Sequence, residues 1–288
     1  MRSHSIKALA TTLVASLLFA SMAFLVKILS FSLSGAEILF ARAVFSMVII
    51  WLVVAFVYKR IKIRNINMLV VRGLFGGLSV LFYFIAISRI PLSSAVLLAN
   101  SYPIFAVLFS AIIIKEKPNF DSVIVLLIAL GGMFLVLEPN FGKIDIGYLL
   151  AIIAAVGGGV AVTSIRELRK TDSSWIIAQA QMIGAAFFSL FFLPSNFKMP
   201  SLTEWGLLLL IGVVGTAAQL AFTRPFKFIP TAEGTYVAPL YTVFAMLLAV
   251  LFLGEVLSSR FLAGAFLIFG GLAYLMVREQ IKFRKSVL

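Results

Sequence analysis

Ten stretches of mostly apolar residues, each long enough to cross a bilayer as a helix, follow one another along the chain with short connections between them. Backbone groups inside a bilayer find no water to bond, so a spanning segment must be a helix or a strand of a closed barrel. Barrel strands alternate apolar and polar residues, and runs such as 207–211, which reads Leu-Leu-Leu-Leu-Ile, do not alternate. The sequence therefore predicts an all-α integral membrane protein with ten transmembrane helices. The predicted spans cover residues 8–26, 38–57, 68–88, 92–114, 120–138, 146–165, 174–193, 205–223, 232–253 and 258–277.

The composition supports this fold class, because 62% of the 288 residues are hydrophobic and only 12% are charged. A soluble domain has roughly 45–50% apolar and about 25% charged residues. The net charge of +13 would by itself suggest a nucleic-acid partner. However, no segment between two predicted spans is long enough to hold a soluble binding domain. We therefore expect a lipid bilayer and a small-molecule substrate as partners, and no nucleic acid.

The sequence offers little for catalysis or metal binding. It contains no Cys, which excludes thiol chemistry and Cys-ligated metal centres, and its one His, His4, lies in the N-terminal tail. All eleven Asp and Glu residues fall in connections or at span ends, so no carboxylate is expected at mid-depth in the membrane. We expect a protein that is not an enzyme and needs no cofactor or metal, and a facilitator or exchanger rather than a proton-coupled antiporter.

The two halves of the chain resemble each other when one is shifted by 139 residues, which places Pro91 on Pro230 and Glu116 on Glu255. The same shift places the pair at 131–132, Gly-Gly, on the pair at 270–271. Each half holds five spans, and an odd number turns the second half over in the membrane. The sequence thus predicts a 5+5 inverted repeat, with residues 1–139 and 140–288 as its units, an arrangement typical of secondary transporters.

The basic residues predict the orientation, because cytoplasmic connections carry the excess of Lys and Arg. Arg42 and Arg72 lie within spans, and seventeen of the other 22 basic residues lie on the side of the N-terminus. We therefore expect a multi-pass protein of the inner membrane with both termini in the cytoplasm. Five basic residues fall on the outer side: Lys27, Arg89, Lys143, Lys198 and Arg260.

Several motifs resemble those of the drug/metabolite transporter superfamily, EamA type. They cover nearly the whole chain, and the stretch from Arg72-Gly73 to Pro91-Leu92 looks most like the branch of S-adenosylmethionine and riboflavin uptake carriers. The resemblance implies a cavity built mainly from spans one, three, four, six, eight and nine. The motifs are Phe40-Ala41-Arg42, Arg72-Gly73, Phe82-Tyr83-Phe84-Ile85-Ala86, Ile90-Pro91-Leu92, Pro103, Glu116, Gly131-Gly132, Ile229-Pro230, Ala238-Pro239-Leu240-Tyr241, Gly254-Glu255 and Gly270-Gly271.

Polar residues deep in the spans are the main candidates for substrate contact. Gln219 has the strongest case, because an amide at mid-span is costly without a partner. Gln179 and Gln181 lie on opposite faces of the seventh span, so at most one of them points inward. Pro103 and Pro239 free backbone carbonyls in spans four and nine and are candidate hinges. The remaining candidates are Asn100, Tyr83, Tyr102, Tyr236 and Tyr241.

Arg42 and Arg72 lie five residues into their spans, and two interpretations remain open for them. Each guanidinium either faces the cavity and pairs with an anionic group of the substrate, or it snorkels to the headgroups or forms a structural pair with a neighbouring carbonyl or carboxylate. Taken together, the sequence predicts a secondary transporter that works by alternating access, as a monomer or homodimer. Its predicted substrate is a small polar metabolite such as an amino acid, S-adenosylmethionine or a flavin-like compound, and the alternative is efflux of toxic metabolites or drugs.

Overall fold

A computed structural model describes residues 2–58, 63–113, 120–136, 145–194, 199–224 and 237–287, and these residues form an all-helical structure. The second helix continues into a π-helical turn, Val54–Tyr58. The helices are α1 (Arg2–Leu29), α2 (Gly35–Val53), α3 (Ile66–Arg89), α4 (Leu92–Ala99), α5 (Tyr102–Ile113), α6 (Phe120–Val136), α7 (Ile146–Thr171), α8 (Ser174–Phe191), α9 (Leu202–Thr223), α10 (Val237–Leu253) and α11 (Ser259–Val287).

Among the described residues, five helices are long and apolar enough to cross a membrane: α2, α3, α7, α8 and α9. Shorter apolar helical segments lie in α1, α6, α10, α11 and across α4 and α5. Large apolar side chains on the outside of the molecule remain exposed, among them Phe187, Leu251 and Phe252. An apolar outer surface of this kind suits lipid rather than water.

The predicted span 92–114 is divided into two helices, because α4 ends at Ala99 and α5 begins at Tyr102. Asn100 leaves the helical conformation with ψ near 4°, and the Ser101 hydroxyl donates to the carbonyl of Leu98 at 2.5 Å. Pro103 lies in the first turn of α5, where a missing N–H is tolerated. The predicted hinge residue therefore directly follows an observed break.

The corner between α3 and α4 is tied to two other parts of the chain. The Glu255 carboxylate accepts hydrogen bonds from the backbone N–H groups of Leu92 and Ser93, at 2.5 and 3.0 Å, and so caps the first turn of α4. From α1, Lys27 Nζ donates to the carbonyl oxygens of Ile87 and Ile90, at 2.9 and 2.8 Å, at the end of α3. Opposite charges thus satisfy the backbone groups that each helix end leaves free.

The helix packing centres on α3, which lies against α7 and α8. In a matching arrangement, α9 lies against α1 and α2. The divided pair α4 and α5 packs on α7, while α10 packs on α1. A further pair, α6 with α11, is joined through Gly132, where an added Cβ would lie 2.8 Å from the carbonyl oxygen of Gly264.

Glycines bring α3 and α8 into backbone contact. A Cβ on Gly184 would overlap the carbonyl oxygen of Gly73, and a Cβ on Gly77 would lie 2.5 Å from the carbonyl carbon of Gly184. Small residues at helix crossings allow such an approach, which replaces the hydrophobic driving force that lipid does not provide. The position of α3 relative to α8 therefore depends on the absence of side chains at these glycines.

Replacing Gly184 with Ala is expected to push α3 and α8 apart and to lower the melting temperature of the purified protein, with a cost of about 1–3 kcal/mol from overpacking. Gly206→Ala is the matched control, since nothing lies within 4 Å of a Cβ there and Ala favours the helix. The measurement is thermal unfolding in detergent. Equal melting temperatures for the two variants would contradict the close packing described above.

Candidate functional site

A cavity of about 120 Å³ lies between the helices, and every helix except α6 and α11 contributes to its wall. Its surface is mostly apolar, with a small number of polar groups that face one another. Such a combination is typical of a small-molecule site. The polar and charged lining residues are Arg42, Arg72, Ser79, Tyr83, Asn100, Tyr102, Gln181, Gln219 and Tyr241.

Arg72, on α3, lies inside the protein and is 2% exposed. Its Nη2 donates to the amide oxygen of Gln181 on α8 at 2.5 Å, while its Nε has no hydrogen-bond partner. The Gln181 Nε2 donates in turn to the carbonyl oxygen of Gly76 at 3.4 Å. The guanidinium is thus held in place by an uncharged amide, which orients it without cancelling its charge.

Arg42, on α2, is equally buried at 2% exposed, and its guanidinium lies over the ring of Phe84, 5.3 Å from the ring centroid. Its Nε also lacks a hydrogen-bond partner. A Cβ on Gly215 would lie 2.7 Å from this Nε, so the lack of a side chain at Gly215 makes room for the guanidinium itself. A cation over an aromatic face is stabilised by the ring quadrupole.

Two tyrosines join α3 to α10 near Arg42. The hydroxyl groups of Tyr83 and Tyr241 are hydrogen-bonded to each other, and both side chains are buried. The ring of Phe19 lies 5.6 Å from that of Tyr241, which extends the aromatic wall to α1. Tyr102, on α5, also lines the cavity. A Cβ on Gly158 of α7 would lie 3.1 Å from the Cβ of Tyr102, so the glycine makes room for this side chain.

Two amides of the site, those of Asn100 and Gln219, have hydroxyl partners. Asn100 Nδ2 donates to Thr242 Oγ1 at 3.0 Å and so connects the break between α4 and α5 to α10. Gln219 is 5% exposed, and its Nε2 donates to Thr223 Oγ1, one turn along α9, at 3.3 Å. These partners keep the amides in defined positions on the cavity wall.

The structure brings most of the predicted site residues to one place. Tyr236 lies outside the described residues, and Pro239 occupies the first turn of α10. Arg42 and Arg72 do not snorkel, since both guanidiniums are inside the protein. The predicted residues that line the cavity are Gln219, Asn100, Tyr83, Tyr102, Tyr241, Arg42 and Arg72.

Gln181 lines the cavity although the sequence analysis did not place it among the site residues. Of the two amides on α8, Gln181 is 5% exposed and contacts Arg72, whereas Gln179 is half-buried with its Oε1 unpaired. The internal repeat contained the signal, because the shift of 139 residues places Arg42 on Gln181. Both side chains therefore occupy the same position in their half of the chain.

The site has no acidic residue among its lining side chains in the described part of the chain. The ion pair found in the described part of the chain joins Lys170 and Glu167, and neither residue lines the cavity. Nor do the described residues contain a group of three His, Asp or Glu side chains suited to a metal. The arrangement suits binding of an organic molecule through hydrogen bonds, aromatic faces and positive charge.

Gln181→Leu should lower the melting temperature markedly, because it leaves the buried Arg72 guanidinium without its acceptor, at a cost of about 1.5–3 kcal/mol. Gln179→Leu is the matched control on the same helix. That change removes an unpaired amide oxygen and is expected to leave stability unchanged or raised. Thermal unfolding of both variants measures the difference, and a Gln179→Leu protein that loses as much stability would contradict the assignment.

Comparisons with known proteins agree on one class. The pseudopaline exporter CntI of Pseudomonas aeruginosa is 33% identical over 215 residues, which is 74% of this chain and 76% of that protein. An uncharacterized transporter of Helicobacter pylori is 28% identical over 243 residues, 80% of this chain and 81% of that protein. These relatives are transporters, not enzymes, and they give no support to the narrower resemblance to S-adenosylmethionine and riboflavin carriers.

A solved crystal structure matches the fold with a TM-score of 0.64, covering 95% of this chain and 98% of that chain at 23% identity. At this identity the likeness establishes the fold alone. The model of the EamA-like transporter family matches twice, over residues 6–138 and 145–277. By these matches, which cover nearly the whole chain, the protein belongs to the EamA-like transporter family.

Proposed function

We propose that the chain is a secondary carrier that exports a small organic metabolite across the inner membrane by alternating access around this cavity. The observation that carries the proposal is the cavity itself, which is lined by helices from both halves of the chain. A site at the interface between two repeats is what secondary transporters use to expose a substrate to each side in turn.

The packing of the helices supports a 5+5 inverted repeat of ten spans, in which α4 and α5 count as one. Exchanging the halves turns the contact of α3 with α7 into that of α9 with α1. The same exchange turns the contact of α4 and α5 with α7 into that of α10 with α1. Each of these pairs is in contact, as a repeat related by a two-fold axis requires.

Side-chain contacts support the same repeat. Gly76 and Gly215 correspond under the shift of 139 residues, as do Gln181 and Arg42. A Cβ on Gly76 would lie 3.2 Å from Gln181 Cγ, and a Cβ on Gly215 would lie 2.7 Å from Arg42 Nε. The two segments that match the family are separated by the same shift, from 6 to 145 and from 138 to 277. We therefore take residues 1–139 and 140–288 as the two units.

In the proposed orientation both termini face the cytoplasm, because most basic residues lie on that side. Lys27 and Glu255, which tie the corner between α3 and α4, then lie at the outer face. Pro103 and Pro239 are the proposed hinges, and the break at Asn100 supports the first of them. The carrier acts as a monomer or a homodimer.

The proposed direction rests on the pseudopaline exporter, whose name states its activity. The absence of acidic residues from the described cavity wall supports a facilitator or exchanger rather than a carrier that binds a proton at a carboxylate. Efflux of toxic compounds is the second candidate, since the mostly apolar wall also suits a drug-like molecule.

Counterflow into proteoliposomes that contain the purified chain tests the function. The panel holds amino acids, organic acids, S-adenosylmethionine, riboflavin and cationic dyes. Saturable flux of at least one metabolite is expected, together with its accumulation in the medium when the chain is overexpressed in cells. No flux of any compound, or accumulation inside the cells, would overturn the proposal of an exporter.

Gln219→Ala is expected to raise the KM of transport about tenfold, because a lost hydrogen bond to substrate in a buried site is worth about 1–1.5 kcal/mol. Gln179→Ala is the control, since this amide does not line the cavity. Initial rates of counterflow at a range of substrate concentrations measure the change. Unaltered kinetics in Gln219→Ala, with normal expression, would remove Gln219 from the site.

A further inference from the structure

We propose that the substrate is an elongated organic anion with two acidic groups, one held by Arg42 and the other by Arg72. The inference rests on the proposed function as a metabolite carrier and names the chemical class of its substrate. It comes from the two positive charges inside the cavity and from N–H donors of the two guanidiniums that have no partner in the described part of the chain. It also depends on the distance, measured along α3, between the positions of the two guanidiniums.

The cavity carries two positive charges that the described protein does not neutralise. Neither arginine has a carboxylate within 4 Å in the described part of the chain, where the ion pair found is Lys170 with Glu167. The ionisable side chains that interact with Arg42 are Tyr83 and Tyr241, and the one that interacts with Arg72 is Tyr102. A buried charge without a counter-charge is costly, so an anion that enters the cavity gains strongly.

Each guanidinium also contains a buried N–H donor that has no partner in the described part of the chain. Nε of Arg42 and Nε of Arg72 are both buried and both lack a partner. Glycines lie beside them: a Cβ on Gly215 would lie 2.7 Å from Arg42 Nε, and a Cβ on Gly76 would lie 3.4 Å from Arg72 Nη1. The glycines let the helix backbone pack closely against each guanidinium. Both arginines also line the cavity, and the flat fork of donors on a guanidinium matches a carboxylate.

The two guanidiniums lie at different heights along α3. Arg42 lies beside the ring of Phe84, whereas Arg72 Nη1 lies 3.4 Å from a Cβ on Gly76, eight residues before Phe84 on α3. At 1.5 Å per residue, eight residues separate these two positions by roughly 12 Å along α3. A single carboxylate cannot meet both groups, so the ligand has an acidic group at each end.

The apolar part of the cavity wall suits the middle of such a molecule. It consists mainly of apolar and small residues, which favour a methylene chain or a ring over further charges. A cationic substrate would face two like charges in a medium of low dielectric constant, which excludes it from this position. The residues in question are Val80, Ala154, Gly158, Val162 and Phe222.

The test compares adipate and suberate with their monoamides, their diamides and the diamines of equal length. Binding to the purified full-length chain in detergent is measured by calorimetry and by the shift in melting temperature. The diacids are expected to bind, and the monoamides to bind about ten- to a hundredfold more weakly, since each charge-assisted contact is worth that factor. Diamides or diamines that bind as well as the diacids would overturn the inference.

The variants Arg42→Gln and Arg72→Gln test whether each guanidinium binds one of the two acidic groups of the ligand. In either variant the diacid and its monoamide should bind with similar affinity, because only one acidic group still finds a guanidinium. Arg260→Gln, which removes an exposed arginine, is expected to keep the full preference for the diacid. Should both cavity variants keep that preference while they remain folded, as judged by their unliganded melting temperatures, the inference would be overturned.

Counterflow of the same compounds separates this inference from the proposed function. Saturable exchange of a diacid that depends on both arginines supports both. Binding of the diacid without any flux, together with no flux of other metabolites, would overturn the transport proposal and leave the anion site. Flux of a neutral or cationic metabolite that is unaffected by either arginine variant would overturn the anion site and leave the transport proposal.

Discussion

The arrangement of the cavity depends on burying two guanidinium groups between apolar helices. A buried ion loses its hydration, and the loss must be offset by hydrogen bonds, an aromatic face or a counter-charge. Arg72 donates a hydrogen bond to the amide oxygen of Gln181, and Arg42 lies over the ring of Phe84. Both contacts stabilise a guanidinium without placing a carboxylate beside it. They leave the positive charge available to whatever enters the cavity.

This arrangement requires α3 to lie very close to its neighbours. Gly73 and Gly77 allow α3 to meet α8 at Gly184, and this contact places Gln181 within hydrogen-bond distance of Arg72. The break at Asn100 then turns the chain so that Asn100 can reach Thr242 on α10. Close backbone packing and a broken helix are both tolerated in a membrane where neighbouring groups satisfy the freed backbone.

Much of the candidate site could be anticipated by asking which polar residues lie deep in apolar spans. Gln219, Asn100 and Tyr83 qualified on that ground, and all three line the cavity. The partners could not be anticipated, because Thr242 and Thr223 are small hydroxyl residues that the span pattern does not distinguish. Pro103 indicated a local disturbance, but the observed break lies before it, where Asn100 ends α4. Tyr236 stays a prediction, since it lies outside the described residues.

The sequence by itself determined the class of the protein and the approximate positions of its helices, apart from the break at Asn100. A run of apolar residues long enough to cross a bilayer can be recognised in the sequence without knowing how the helices pack. The same is true of the missing Cys and of the paired motifs of the two halves. Only the tertiary structure decided which face of each helix is turned to the cavity. Gln181 points inward and Gln179 does not, and Arg42 lies over the ring of Phe84 instead of reaching the headgroups. The reason is that helix rotation is set by packing against neighbours, which in a uniformly apolar helix no local pattern encodes.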